Sequence, residues 1–147
     1  MPPVESTMSA SSGPLLIVED DPDIREALQG YLELQGYAVR AASNGKEALE
    51  HLETPPRPSL ILLDMALPIM DGHRVLTTRK TNAALAGVPV IILSAGMAAM
   101  NPRDRAVYAA NYDVAAFLKK PVEPRQLLEV IERHALKLSG AQAGASP

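Results

Sequence analysis

Five short apolar runs, each followed by a polar residue and a helical pattern, leave this chain few ways to fold. Leu15-Leu16-Ile17-Val18 offers no polar residue to water, so it reads as a strand buried on both faces. Tyr37 to Ala41, Leu60 to Leu63, Val88 to Leu93 and Ala115 to Leu118 read as further strands. The segments between them carry helix start and stop signals. Pro22 opens the first helix, capped by Asp20 or Asp21 and stopped at Gly36, with Ile24, Ala27, Leu28, Tyr31 and Leu32 on one inward stripe. Asn44 with Glu47 resembles a capping box and starts the second, which turns Ala48, Leu49 and Leu52 inward and ends at Thr54 before the prolines. Asp71-Gly72 starts the third, running to about Asn82. Pro102 opens the fourth, to about Asn111, and Pro124 opens the fifth, with Leu127, Leu128, Ile131, Ala135 and Leu138 on its stripe.

Strands that alternate with helices imply an α/β fold, a parallel sheet covered on both faces. Right-handed crossovers divide the helices between those faces. The common solution for five strands is the doubly wound order 2-1-3-4-5, with its switch point between the first and third strands. Ligands bind beyond the carboxyl ends of the strands at such a point, and the polar residues of this chain gather there. The first strand ends in Glu19-Asp20-Asp21, the third in Asp64, the fourth in Ser94 and the fifth in Lys120. Taken singly, each has an ordinary explanation: a helix cap, a turn residue, a solvated lysine. Their joint placement on four strand ends is what argues for a site.

Clustered carboxylates repel one another unless a cation joins them. A hard divalent cation such as Mg²⁺ suits oxygen donors and phosphate. Lys120 adds a second positive charge and Ser94 a hydroxyl, which together describe a site for a transferring phosphoryl group, with Asp64 central enough to be the nucleophile.

Composition closes other routes. The chain has no cysteine, which excludes a disulfide scaffold, a thiolate metal site and a cysteine nucleophile. A net charge of −3 argues against direct nucleic-acid binding through a basic face. No apolar run is long enough for a membrane span and no secretory signal opens the chain, so the expected location is cytoplasmic. His51, His73 and His134 show no metal-ligand spacing and read as surface or half-buried residues. Residues 1–14 and 139–147 read as disordered tails around a domain at 15–138. Tails so short leave no room for an output domain, which points to a stand-alone module.

The segments LLIVEDDPDIREAL, LILLDMALPIMDG, VPVIILSAG and AAFLKKPVEPRQLLEVI, in this order, resemble the receiver domain of two-component response regulators. The resemblance implies the flavodoxin-like (βα)5 sandwich and a role for each matching residue. Asp64 would accept a phosphoryl group from a phosphohistidine of a sensor histidine kinase or histidine phosphotransfer protein. Glu19 and Asp20 would hold Mg²⁺ with Asp64, helped by the backbone carbonyl of Ala66. Lys120 would contact the phosphoryl group, and its bond to Pro121 is expected to be cis. Ser94 would move toward the phosphoryl group, and Phe117 would turn inward behind it. The output would be a surface read by a downstream protein target, on a monomer or an activation-dependent homodimer. Such a chain is a phosphoacceptor, acting on no substrate but its own carboxylate.

Two competing readings follow the same residues. A haloacid-dehalogenase-type phosphatase usually has a second Asp where Ala66 stands; a receiver-like interaction module that takes no phosphate would not need the complete set. A dinucleotide binder is disfavoured because no G-x-G-x-x-G follows the first strand. The chain departs from the family in the interval between Ser94 and Lys120, which is a few residues longer, through GMAAMNPRDRAVYAANYD. Met97, Met100, Tyr108 and Tyr112 there form either a partner surface or the buried side of an ordinary helix. Ala66 and Gly96 carry no polar group to orient water, so neither position would assist dephosphorylation.

Overall fold

The computed structural model describes residues 13–64, 69–85, 87–94 and 101–145, with side chains excepted at 69–71, 73 and 135–145. The elements run β1 (Leu15–Val18), α1 (Pro22–Leu34), β2 (Val39–Ala42), α2 (Gly45–Glu53), β3 (Leu60–Asp64), α3 (Ile69–Thr81), β4 (Val90–Ser94), α4 (Pro102–Tyr112), β5 (Ala116–Lys119) and α5 (Pro124–Ala145). The strands form one parallel sheet in the order β2-β1-β3-β4-β5. This is the doubly wound, flavodoxin-like arrangement expected from the alternation.

Strand parity splits the core in two, because successive side chains point to opposite faces. Leu16, Val18, Ile61, Leu63, Val90 and Ile92 meet α2 and α3 through Ala48, Leu52, Val75 and Leu76. Leu15, Ile17, Leu60, Leu62, Ile91 and Leu93 meet α1 and α5 through Leu28, Leu32, Leu127 and Ile131. The sheet is therefore covered on both sides, and only its ends are open to chemistry.

The helix signals act as read, with refinements. Asp21, not Asp20, caps α1: its Oδ1 accepts from the amides of Asp23 (2.8 Å) and Ile24 (3.1 Å). Gly36 takes φ +98° after the last turn, a conformation glycine adopts without steric cost. Asn44 accepts from the Glu47 amide at 2.8 Å, but Glu47 reaches back to the amide and hydroxyl of Ser43, so the box closes one residue early. The inward stripe of α1 is shorter than expected. Leu28 and Leu32 are buried, whereas Ile24 and Ala27 are exposed, because the first turns of the helix stand beyond the strands it covers.

Most element ends fall within two residues of the sequence expectation. The tails differ more. Helix α5 continues through Ser139 to Ala145, where a disordered tail was expected. Ala141, Gln142, Ala143 and Ala145 favour a helix, Gly140 and Gly144 weaken it, and no proline interrupts the run. At the other end, Gly13 and Pro14 belong to the domain. Ser59 donates its hydroxyl to the Gly13 carbonyl (2.8 Å) and its amide to the Pro14 carbonyl (2.9 Å). A β-carbon at residue 13 would lie 2.1 Å from the Arg57 carbonyl oxygen, so only glycine fits there. Residues 1–12 of the expected N-terminal tail lie outside the described residues.

Candidate functional site

Register brings the polar residues together. Val18 pairs with Leu63, so Glu19 lies in the next row beside Asp64, which pairs with Leu93. Ser94 pairs with Lys119, and Lys120 follows one residue on, donating its amide to the Ser94 carbonyl at 3.3 Å. The Glu19 amide bonds the Ala42 carbonyl at 3.0 Å, so β1 is held to β2 up to the site. The Lys120–Pro121 peptide bond is cis, as expected, and Pro55–Pro56 is a second.

The side chains of Glu19, Asp64 and Ser94 are buried, and Asp20 is exposed. Lys120 bridges the two buried carboxylates: its Nζ lies 3.0 Å from Asp64 Oδ1 and 3.1 Å from Glu19 Oε1. The neighbouring Lys119 is exposed, so Lys120 alone of the two turns to the carboxylates. Glu19 Oε2 also accepts from the Asp21 amide at 3.2 Å.

Burial pushes the Glu19 carboxyl up from its ordinary 4.5 to about 7, and Asp64 adds to the rise through a shared hydrogen bond and like charge. Burial works against the Lys120 ammonium, but its bonds to Asp64 and Glu19 outweigh that and hold its pKa above the ordinary value. Glu19, Asp20 and Asp64 offer oxygens that all lie within 4.8 Å of one another. An all-carboxylate oxygen set, one member open to solvent, fits a hard, partly hydrated cation such as Mg²⁺.

Phe117 is half-buried on the α4 side of the sheet. Its ring centroid lies 6.3 Å from that of Tyr108, which in turn lies 4.9 Å from Tyr112. Both tyrosines pack against the core from α4, which is the helix-face alternative for this segment. Ala66, Gly96, Met97 and Met100 lie outside the described residues. His51 and His134 are half-buried. Arg25 was not singled out in the sequence, yet its Nη1 donates to the Glu19 carbonyl at 2.9 Å. An arginine four residues after a helix cap carries no signal that it turns back to the preceding loop.

The profile of the response regulator receiver domain family matches residues 15–132. The chain is 37% identical over 139 residues to "Probable transcriptional regulator ycf29" of Pyropia yezoensis, covering 90% of this chain and 59% of that protein. It is 35% identical over 122 residues to an uncharacterized 14.6 kDa protein of Leptolyngbya boryana, covering 83% and 89%. Of several further curated relatives, among them regulators of Pseudomonas aeruginosa and Synechocystis, this chain spans only between 26% and 54%. A CheY-like receiver domain from Methanospirillum hungatei superposes with a TM-score of 0.72 at 30% identity, covering 91% of this chain and 99% of that one. A doubly wound sheet with carboxylates, a hydroxyl and a lysine at its carboxyl ends defines a class of signalling domain. This chain belongs to the response regulator receiver domains of two-component systems. No helix among the described residues is long and apolar enough to cross a membrane.

Proposed function

We propose that Asp64 is a phosphoacceptor for a sensor histidine kinase or histidine phosphotransfer protein. A carboxylate oxygen of Asp64 attacks the phosphorus of a phosphohistidine. The P–N bond breaks, an acyl phosphate forms, and the leaving imidazole takes up a proton. The observation that carries this reading is the Lys120 ammonium, 3.0 Å from Asp64 Oδ1. It places positive charge where the transferring oxygens would gather, and such transfer needs mainly alignment and charge neutralisation.

Glu19, Asp20 and Asp64 would hold Mg²⁺, with the Ala66 carbonyl as the family implies; when bound, the ion neutralises charge on the phosphoryl oxygens. The new charge on Asp64 draws the Ser94 hydroxyl toward it and lets Phe117 turn inward, so a local event alters the surface of α4 and β5. A downstream protein reads that surface. The chain acts in the cytoplasm as a single-domain receiver and on no substrate but its own carboxylate; the Leptolyngbya relative, 89% spanned by this chain, supports the single-domain reading.

The test is incubation with acetyl phosphate and Mg²⁺, followed by intact mass measurement. Wild-type protein gains one base-labile phosphoryl group and Asp64→Asn gains none. No adduct on wild type, or the same adduct on Asp64→Asn, overturns the reading.

A further inference from the structure

We infer that Arg25 is a positioning residue for the acidic pair Glu19-Asp20, and that it sets the affinity of the site for a divalent cation. The inference rests on the proposed function above for the cation's role, and on geometry for everything else. Arg25 sits one turn into α1, where its amide makes a first helical bond to the Asp21 carbonyl at 2.9 Å. Its guanidinium turns back over the loop it has just left. Nη1 donates to the Glu19 carbonyl at 2.9 Å and reaches the Asp20 carbonyl at 3.5 Å, the edge of hydrogen-bonding range.

Two consecutive carbonyls thus share one cationic donor. A peptide unit is planar, so fixing the Glu19 oxygen also fixes the direction of the Asp20 amide and α-carbon. Asp20 needs that constraint most. Glu19 is buried and tied by its amide to β2 and by its carboxylate to Lys120, whereas Asp20 is exposed. The loop would otherwise be free to swing Asp20 away from Glu19 and Asp64, whose mutual repulsion favours that swing. On its far side lies the Glu47 carboxyl, which bonds from Ser43 hold below its ordinary range and which the Arg25 charge lowers further. The three-residue loop from Glu19 to Asp21 is therefore clasped between β2 and the first turn of α1.

A positive charge beside a cation site has a second effect of opposite sign. Were Arg25 only a nearby charge, its removal would strengthen cation binding, because repulsion would fall. Were it a positioning residue, removal would weaken binding. The sign of the change therefore separates the two roles. Arg25→Met keeps the apolar stem and drops both donor and charge; Arg25→Lys keeps the charge and one donor.

The experiment is calorimetric titration of Mg²⁺ into metal-free protein, with ¹⁵N relaxation of the Asp20 and Asp21 amides recorded on the same samples. Arg25→Met should bind Mg²⁺ about tenfold more weakly than wild type, the usual cost of losing a group that orients metal ligands. Arg25→Lys should fall closer to wild type. In metal-free Arg25→Met the Asp20 amide should drop from the rigid range toward an order parameter of about 0.6. A merely structural residue would lower the melting temperature and leave the Kd of the folded protein unchanged. Unchanged or tighter Mg²⁺ binding by Arg25→Met, or an unmoved Asp20 order parameter, overturns the inference. Wild-type protein that binds no Mg²⁺ overturns the proposed function and the affinity-setting part of this inference together. The order parameter then reports separately on whether Arg25 fixes the loop.

Discussion

Strands β1, β3 and β4 are buried at every residue, whereas α4 buries none of its own. The strands end at the carboxyl-end site, and α4 reaches β5 through Phe117. Asp64 ends β3 and Glu19 directly follows β1, so these two charges are crowded on backbone that packing holds firmly, and only Asp20 stands on a loop. Helix α4 is held by other means. Its ring contacts run through Tyr108 to Phe117, and its C-terminal end is gripped by polar groups from α3. Arg79 donates from Nε and Nη2 to the Val88 carbonyl and from Nη1 to the Tyr112 carbonyl, and Lys80 donates to the Asn111 carbonyl. The distances between the site's side chains are set on the packed side, and α4 sits where few apolar contacts would resist a shift.

The largest effect should come from the burial of the Glu19 charge. Glu19 ionises near 4.5 in the unfolded chain and near 7 in the folded one, chiefly because it is buried. Between those values the folded protein keeps a proton that the unfolded chain has released, so stability falls as pH rises through that window. A shift of this size amounts to about 3 kcal/mol, fully felt above neutral pH. The melting temperature of metal-free protein should therefore fall from about pH 5 to about pH 8 more steeply than that of Glu19→Gln. Added Mg²⁺ should recover part of the loss at the higher pH, since it binds only the folded form. Equal slopes for wild type and Glu19→Gln would mean that the packed strands do not hold Glu19 against its preference for water.

The grip on α4 is a smaller quantity. Arg79 is almost fully buried, its side chain 3% exposed, while its ion-pair partner Asp113 is 74% exposed at 3.4 Å. The carbonyl bonds, not the ion pair, should carry the stability. Arg79→Met should cost about 2 kcal/mol in urea unfolding, the scale of lost hydrogen bonds to a charged group. Asp113→Asn, which suits the left-handed backbone at φ 56° and removes only the charge, should cost less than about 1 kcal/mol, as surface pairs do. Equal costs would mean that α4 is held by the ion pair, and high salt would then loosen it.

Arg79 also shows where sequence reading stops. A basic residue in the last turn of α3 reads as a charge facing the helix dipole and solvent. Only the approach of β4 and α4 turns it inward, and no local pattern encodes that approach. Arg25 escaped notice for the same reason, and Ile24 and Ala27 were expected inward because helical spacing does not say how far the covering strands extend. The sheet order and the row of Glu19, Asp64, Ser94 and Lys120 were legible for the opposite reason. A strand buried on both faces must be apolar throughout, so its first polar residue marks the sheet's edge, and the doubly wound order brings those edges together. The extension of α5 was not legible, because a segment of Ala, Gln, Gly and Ser suits a helix and a tail almost equally.

The smallest effect tests whether the two regions communicate. Tyr108 is a direct ring contact between α4 and Phe117, with centroids 6.3 Å apart and planes tilted by 57°. A double-mutant cycle of Tyr108→Leu and Phe117→Leu should give a coupling of about 0.5–1 kcal/mol in the unphosphorylated protein, the usual worth of an aromatic pair beyond its buried area. The chain has no tryptophan, and Tyr108 and Tyr112 are two of its four tyrosines, so the part of the tyrosine emission lost in Tyr108→Leu reports on this cluster. Phosphorylation should change that emission in wild type and change it less in Phe117→Leu. Zero coupling would leave the packed site without this route to the loosely held helix, and the signal would have to leave the site by another face. A measurable coupling makes Tyr108 the point where a ring moving on β5 is felt by α4, a helix with little apolar burial to oppose the shift.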